Sequence, residues 1–449
     1  MSDEQHQLIA RLDRIPLWPH ANAVLWVVGI GYLIAFFDIS NVAFGLPVFS
    51  KVLHFAPGQE ALPITASLLG YVIGAYANSN FADMFGRKPG IVTATLLFSA
   101  GCIETTFAYD LDSMLAGRFV TGMGIGAEIA VISAYIGEMA PAAVRGRYTG
   151  LANLFAMLGQ GAVPIVALAL VPNFDWGWRA MFGLGALGVV TLLAFPWLPE
   201  SPRWLLSKGR VGQAAAIIDA AETRALRRLG KPLPPPVEAA PEVPVRGFPT
   251  ATLLRPPYRG RVLLLFALWF ILYVGMYSWL GLGPTFFVAQ GFSLPHSILF
   301  MLASSFGYPL GSLLASLLGD RFEHKYSIMA GMAIWTGCFT AIGIVGTPVV
   351  IYVSVFLLAG SLGFYLPLLY TLTAESFPTR ARATGVSLTD GAGHFGGAIG
   401  PILAIAVHNA GGFVAVFLFM AVSGLITLLL LPFTIRATGK SLEVVTKEF

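Results

Sequence analysis

Charge is scarce in this chain: 11% of its 449 residues are Asp, Glu, Lys or Arg, less than half the roughly 25% of an ordinary soluble domain. So little charge excludes a water-soluble globule of this length. Cysteine is nearly absent. The two present, Cys102 and Cys338, lie in separate apolar tracts, which excludes a disulfide framework and a cysteine metal centre. The sequence has no glycine-rich phosphate loop, no ligand-spaced metal cluster and no nucleophile motif. No enzyme, cofactor, metal or direct use of ATP is expected. Met1–His20 holds no apolar run and reads as a mixed-charge tail, with no cleavable leader. The first hydrophobic segment is expected to direct its own insertion.

What the chain has instead is hydrophobic sequence in membrane-length pieces. It is 56% hydrophobic, with a mean hydropathy of +0.75. Apolar segments fall at 22–46, 61–82, 90–108, 112–137, 148–171, 179–198, 261–289, 295–319, 326–345, 348–374, 383–407 and 412–435. Each is close to the ~20 residues that cross a bilayer. They divide six and six around residues 199–260, a basic helical pattern at Ser207–Leu229 followed by KPLPPPVEAAPEVPV, where the prolines stop any helix. The expected organisation is a tail at 1–21, a first half at 22–198, a linker at 199–260, a second half at 261–435 and a tail at 436–449. The fold class expected is all-α, with twelve transmembrane helices.

Of the 27 Lys and Arg, all but Lys51, Arg118 and Arg179 fall on one side of such a bundle. By the positive-inside rule that side is cytoplasmic and holds both termini. The basic residues are dispersed over many loops, so nucleic acid is a poor partner, and the lipid bilayer is the expected one. Two motifs repeat at one offset. ADMFGRK holds Asp83 and Lys88, and GDRFEHK holds Asp320 and Lys325, 237 residues later. Glu138, Pro141 and Arg145 recur as Glu375, Pro378 and Arg382, again 237 residues on. A shared offset implies a duplicated six-helix unit.

These motifs carry a resemblance. D-x-x-G-R-K stands at Asp83–Lys88, R-x-x-x-G-x-G-x-G at Arg118–Gly126, E-x-x-P-x-x-x-R-G-R at Glu138–Arg147 and P-E-S-P-R-W-L at Pro199–Leu205. Over almost its whole length the chain resembles the major facilitator superfamily, in its sugar-porter-like and organic-ion branch. Within that branch it is similar to bacterial niacin permeases and the synaptic vesicle glycoprotein 2 group. The resemblance implies two halves that rock about a central solute site, in a monomer of the bacterial inner membrane. It implies a cytoplasmic gate at Asp83, Gly86, Arg87, Glu138, Arg145, Arg147, Glu200, Arg203, Asp320, Glu375 and Arg382, whose charges either latch the halves or only fix topology. Glu323 and His324 depart from the repeated loop pattern.

Ionisable groups at bilayer depth are expensive and point to function. Asp38 and Arg118 fall at similar depth in the first and fourth segments, roughly 10 Å below the outer surface by helix rise. The resemblance makes them a proton-coupling pair; a static salt bridge is the alternative. Glu128, past the glycines of the fourth segment, is either a second proton carrier or a polar tie between helices. Asp390 and His394 share a helix face beside Gly396 and Gly397, and either line the solute cavity or tie helices together. An imidazole changes charge near neutral pH. Tyr273, Tyr277 and Trp279 in the seventh segment offer rings for a flat ligand, while Asn153 and Gln160 offer amides. The glutamine pair and asparagine usual in the seventh helix of sugar-binding relatives are absent. The function expected is proton-coupled uptake of a small organic acid such as an aromatic monocarboxylate. A sugar or polyol symporter is the alternative, and a non-transporting sensor on the same fold is a third reading.

Overall fold

The computed structural model describes residues 3–141, 144–236, 253–256, 258–377 and 381–436, without the side chains of Asp3, Asp320, Arg382 and Ala383. Two expected gate residues, Asp320 and Arg382, therefore have side chains outside the description. So do most of the proline-rich segment and the last tail.

Among the described residues every regular element is helical. The first half comprises α2 (Asn22–Val52), α3 (Leu62–Phe85), α4 (Arg87–Thr106), α5 (Leu111–Met139), α6 (Arg145–Leu170) and α7 (Gly177–Ala186), which tightens into a 3₁₀ run over Leu187–Trp197. The second comprises α10 (Tyr258–Ala289), α11 (Leu294–Leu302) with α12 (Ser304–Leu318), α13 (His324–Ile344), α14 (Pro348–Glu375), and α15 (Arg382–Val386), which runs through a π turn at Ser387–Gly391 into α16 (Ala392–Leu430). The backbone breaks at Gly412 (φ 71°, ψ −160°), so α16 has two limbs, and the halves have six spans each. Ten helical stretches pass as spans on length and hydropathy. The two-limbed stretch Thr384–Phe433 counts once among them, and the twenty-residue α4 is the remaining span. Large apolar side chains such as Leu193, Trp197 and Phe306 are exposed around the bundle, as lipid contact requires.

Local sequence sets the helix ends. Asp110 caps α5, accepting from the Ser113 N–H at 2.9 Å while the Ser113 hydroxyl accepts from the Asp110 N–H, a capping box. Glycines set the packing. A Cβ at Gly122 would lie 1.9 Å from the Ser67 carbonyl oxygen, and one at Gly126 2.1 Å from that of Tyr71. Helix α5 thus meets α3 backbone to backbone, the close approach that small residues allow. The halves meet along α2 with α10, α3 with the first limb of α16, and α6 with α11 and α12. The Thr65 hydroxyl donates to the Ala398 carbonyl at 2.7 Å, and the Asn153 amide to Ser312 Oγ at 3.2 Å.

Outside the bundle, α1 (Asp3–Asp13) docks on α8 (Pro202–Ser207) and α9 (Val211–Leu229). A small separate core of Leu8, Leu12, Ile15, Trp204, Leu205 and Ile218 joins them. The tail expected at 1–21 is therefore built into the linker. The glycine packing gives a direct test. Gly126→Ala is expected to lower the melting temperature and yield of detergent-solubilised protein. Gly137→Ala, whose added Cβ meets nothing within 4 Å, should be neutral or stabilising by up to about 1 kcal/mol. Thermal unfolding followed by size-exclusion chromatography checks both.

Candidate functional site

The site is built on one charge pair. Arg118 Nη1 donates to Asp38 Oδ2 at 2.7 Å, and the two side chains are 1% and 0% exposed. Asp38 Oδ1 accepts from the Asn41 amide at 3.0 Å, and Cys102 Sγ lies 3.7 Å away. Arg118 Nε donates to Ser67 Oγ at 2.9 Å, and its guanidinium lies 5.4 Å from the Phe182 ring centre. Four spans, α2, α3, α4 and α5, thus place polar atoms around one buried ion pair. The pairing expected from depth is present.

Glu128 lies one helix stretch nearer the linker side. It is 3% exposed, and its carboxylate fills the space a Cβ on Gly31 would take, 2.6 Å from that position. Gly31 is the notch in α2 that admits it.

Between the halves lies a cavity with about 690 Å³ of empty space, counting its open mouth. Asn153, Gln160, Tyr273, Tyr277 and His394 line it, as expected. Tyr71, Tyr308, Tyr370 and Phe36 line it too and escaped the sequence reading. Trp279 is a correction. It stands about 200° around the helix from Tyr277 and packs into the second half's core, 5.3 Å from the Phe339 ring. Asp390 stands beside the cavity, bonded to two tyrosines that line it. Its Oδ1 accepts from the Tyr273 hydroxyl at 2.5 Å and the Tyr370 hydroxyl at 3.2 Å. It sits in the π turn, a widened turn common at functional sites. His394 Nδ1 lies 3.0 Å from the Asp390 carbonyl oxygen, and Tyr71 stacks on the imidazole at 4.3 Å and 14°.

On the linker side the residues expected at a gate divide. Arg87 bonds Asp83 at 2.5 Å and Glu138 at 2.7 Å. Glu200 accepts from the Arg87 and Lys88 N–H groups at 3.0 and 3.2 Å, an anion at the N-terminus of α4. Gly86, at φ 122°, leaves the room, because a Cβ there would stand 2.4 Å from Glu200 Oε2. The repeat holds in space as well, since His324 Nδ1 approaches Glu375 Oε2 at 3.3 Å where the first half has Arg87 and Glu138. Arg147 is exposed, 5.9 Å from the Tyr148 ring centre. Among the described residues no gate ion pair joins the two halves. The partner that sequence reasoning missed is Asp13, at the end of α1. It pairs with Arg203 at 2.6 Å and stands 3.8 Å from Arg145.

The comparisons with known proteins agree with this architecture. Residues 59–449 match the sugar (and other) transporter family. The chain belongs to that family. Among relatives of this transporter, YyaJ of Bacillus subtilis, provisionally described as a metabolite transport protein, is 30% identical over 94% of both chains. The niacin transporter of Acinetobacter baylyi is 28% identical over 97% of this chain and 99% of its own. The arabinose-proton symporter of Bacillus subtilis is 26% identical over 93% of each. In fold, the transporter is similar to the xylose transporter XylE of E. coli, with a TM-score of 0.75 at 19% identity over 93% of this chain and 99% of that one. The fold is thus the twelve-helix major facilitator fold, in a multi-pass membrane protein.

The docked tail makes a pH-dependent prediction. Burial works against ionisation of Glu222, yet hydrogen bonds from Arg11 and Arg14 hold its carboxylate below the ordinary range. A folded value below the unfolded value of about 4.3 means that the docking energy is complete above that pH. It is lost only as pH falls through the lower folded value. Amide exchange in Asp3–Asp13 is therefore expected to show constant protection from neutral pH down to about 5. Glu222→Gln should speed that exchange several-fold at neutral pH.

Proposed function

We propose that this chain is a proton-coupled symporter that carries a small organic solute by alternating access. The observation that carries the reading is the fully buried Asp38–Arg118 pair set beside a cavity between the halves. A proton on Asp38 removes one charge of the pair and frees Arg118 to seek other acceptors. Two states that differ by a few kcal/mol are then repopulated by one protonation. Glu128, buried on the same helix as Arg118, is the second acid on this path. The distribution of basic residues supports cytoplasmic termini. The bacterial relatives support the inner membrane as its location.

A sugar or polyol is the solute class that the comparisons support better. The fold is shared with proton:xylose symporters, and an arabinose-proton symporter is a full-length relative. Tyrosine hydroxyls with Asn153 and Gln160 supply hydrogen bonds for such a solute. The cavity walls favour a second reading. Tyr71, Tyr273, Tyr277, Tyr308, Tyr370 and His394 present ring surfaces, on which a flat aromatic acid stacks, and a niacin transporter is also a full-length relative.

Reconstituted vesicles with an alkaline interior decide among these. Wild-type protein is expected to accumulate D-xylose or L-arabinose above equilibrium; accumulation of nicotinate in their place selects the aromatic acid. Asp38→Asn should abolish accumulation above equilibrium and retain exchange of labelled for unlabelled solute. Full gradient-driven accumulation by Asp38→Asn would remove Asp38 from the mechanism. Binding by the wild type without any movement of solute would select the sensor.

A further inference from the structure

Helix α3 touches both ends of the proposed machine on a single face. Ser67 accepts from Arg118 at 2.9 Å. One turn later Tyr71 stacks on His394 of the other half, ring centres 4.3 Å apart. Residues four apart stand one above the other on a helix. A second, smaller cavity confirms the connection. It is lined by Arg118, Ser67 and Tyr71, and it shares Ile39, Tyr71 and Tyr277 with the solute cavity. Tyr71 is therefore part of the wall between the ion pair and the solute space.

The wall is also stiff. Besides the contacts at Gly122 and Gly126, a Cβ at Gly70 would lie 2.1 Å from the Phe119 carbonyl oxygen and one at Gly74 2.0 Å from that of Met123. Four glycines thus lock α3 to α5, the helix that carries Arg118. A shift of one helix moves the other, since packed elements of this kind transmit displacement.

We propose that Tyr71 is the positioning residue that couples the Asp38–Arg118 pair to the solute cavity. This deepens the proton-coupled reading above and rests on it. When Asp38 is charged, Arg118 is held between Asp38 and Ser67, and Tyr71 stays on His394. When Asp38 takes a proton, Arg118 loses its anionic acceptor. The Ser67 side of α3 relaxes with α5, and the ring of Tyr71 leaves the imidazole. A solute in the cavity touches Tyr71 and His394 directly, so its binding biases the pair in return, as linkage requires. The titratable groups facing Asp38 are Arg118 from α5 and Cys102 from α4. Those around Tyr71 are Tyr32 from α2, Tyr277 from α10, Tyr370 from α14, and Asp390 and His394 from the π turn and α16. A control must separate the two sets.

The test needs no solute. Phe107, just past α4, and Val349, at the start of α14, are 72% and 71% exposed at the end of the bundle away from the linker. Spin labels on Phe107→Cys and Val349→Cys report the separation of the halves there by double electron–electron resonance. The native cysteines are buried. The wild-type distance distribution is expected to shift as the pH is lowered. Asp38→Asn should abolish the shift. Tyr71→Leu should abolish it with Asp38 intact, and Tyr71→Phe, which keeps the ring, should restore it. Ser67→Ala breaks the other end of the link and is expected to diminish the shift, which keeps the test open if Tyr71→Leu does not fold. A full shift in Tyr71→Leu or in Ser67→Ala overturns the inference alone. A shift that survives Asp38→Asn places its origin at another titratable group, Glu128, Asp390 or His394, and also overturns the inference. A wild-type protein without any shift overturns the proton reading and the inference with it.

Discussion

The rest of this structure is arranged around an ion pair that has no water to lean on. Removing one partner of a buried pair leaves an uncompensated charge, at a cost of roughly 3–5 kcal/mol. The chain meets that demand with neighbours: Asn41 on the carboxylate, Ser67 on the guanidinium and the Phe182 ring beside it. Each neighbour comes from a different helix, so the pair ties α2, α3, α5 and α7 into one body. The glycines of α5 follow from the same demand. Only a helix without side chains on that face comes close enough to α3 for Arg118 to reach Ser67. A pair so thoroughly enclosed is a strong structural tie while charged and a weak one once the carboxylate is neutral. That difference is what a coupled carrier requires.

The linker side shows the same chemistry where water is near. Arg87, Glu138, Glu200, Arg203 and Asp13 form a partly exposed chain of charges around the start of α4. Exposed pairs contribute little singly, so their value lies in the network and in the anion held at a helix N-terminus. The second half repeats the arrangement with His324 in place of Arg87. The two repeats are therefore unequal: the first pairs its glutamate with a guanidinium, the second with an imidazole. Asp13 adds the N-terminal helix to this network, so the tail, the linker and the first half are mechanically one unit.

Much of this was legible in the sequence. Scarce charge and twelve apolar runs specify the membrane, and the 237-residue offset specifies the duplication. Asp38 and Arg118 were found because a charge at bilayer depth needs a partner at the same depth. Other features were hidden for physical reasons. Tyr71, Tyr308 and Tyr370 sit in apolar helices where aromatics are ordinary, and only tertiary packing turns their rings toward the cavity. Trp279 was misplaced because nearness in sequence to Tyr277 is not nearness on a helix face. The tyrosine partners of Asp390 were hidden too, because they come from two other helices. Asp13 carries no local signal at all, since its partners lie in other motifs far along the chain.

The central claim is that the Asp38–Arg118 pair opens when Asp38 accepts a proton. Infrared difference spectroscopy on purified protein, taken at successively lower pH in wild type and in Asp38→Asn, reads that event at the bond itself. The account predicts a protonated-carboxyl band that grows in the wild type as pH falls and is missing from Asp38→Asn. Identical carboxyl spectra in the two proteins would contradict it.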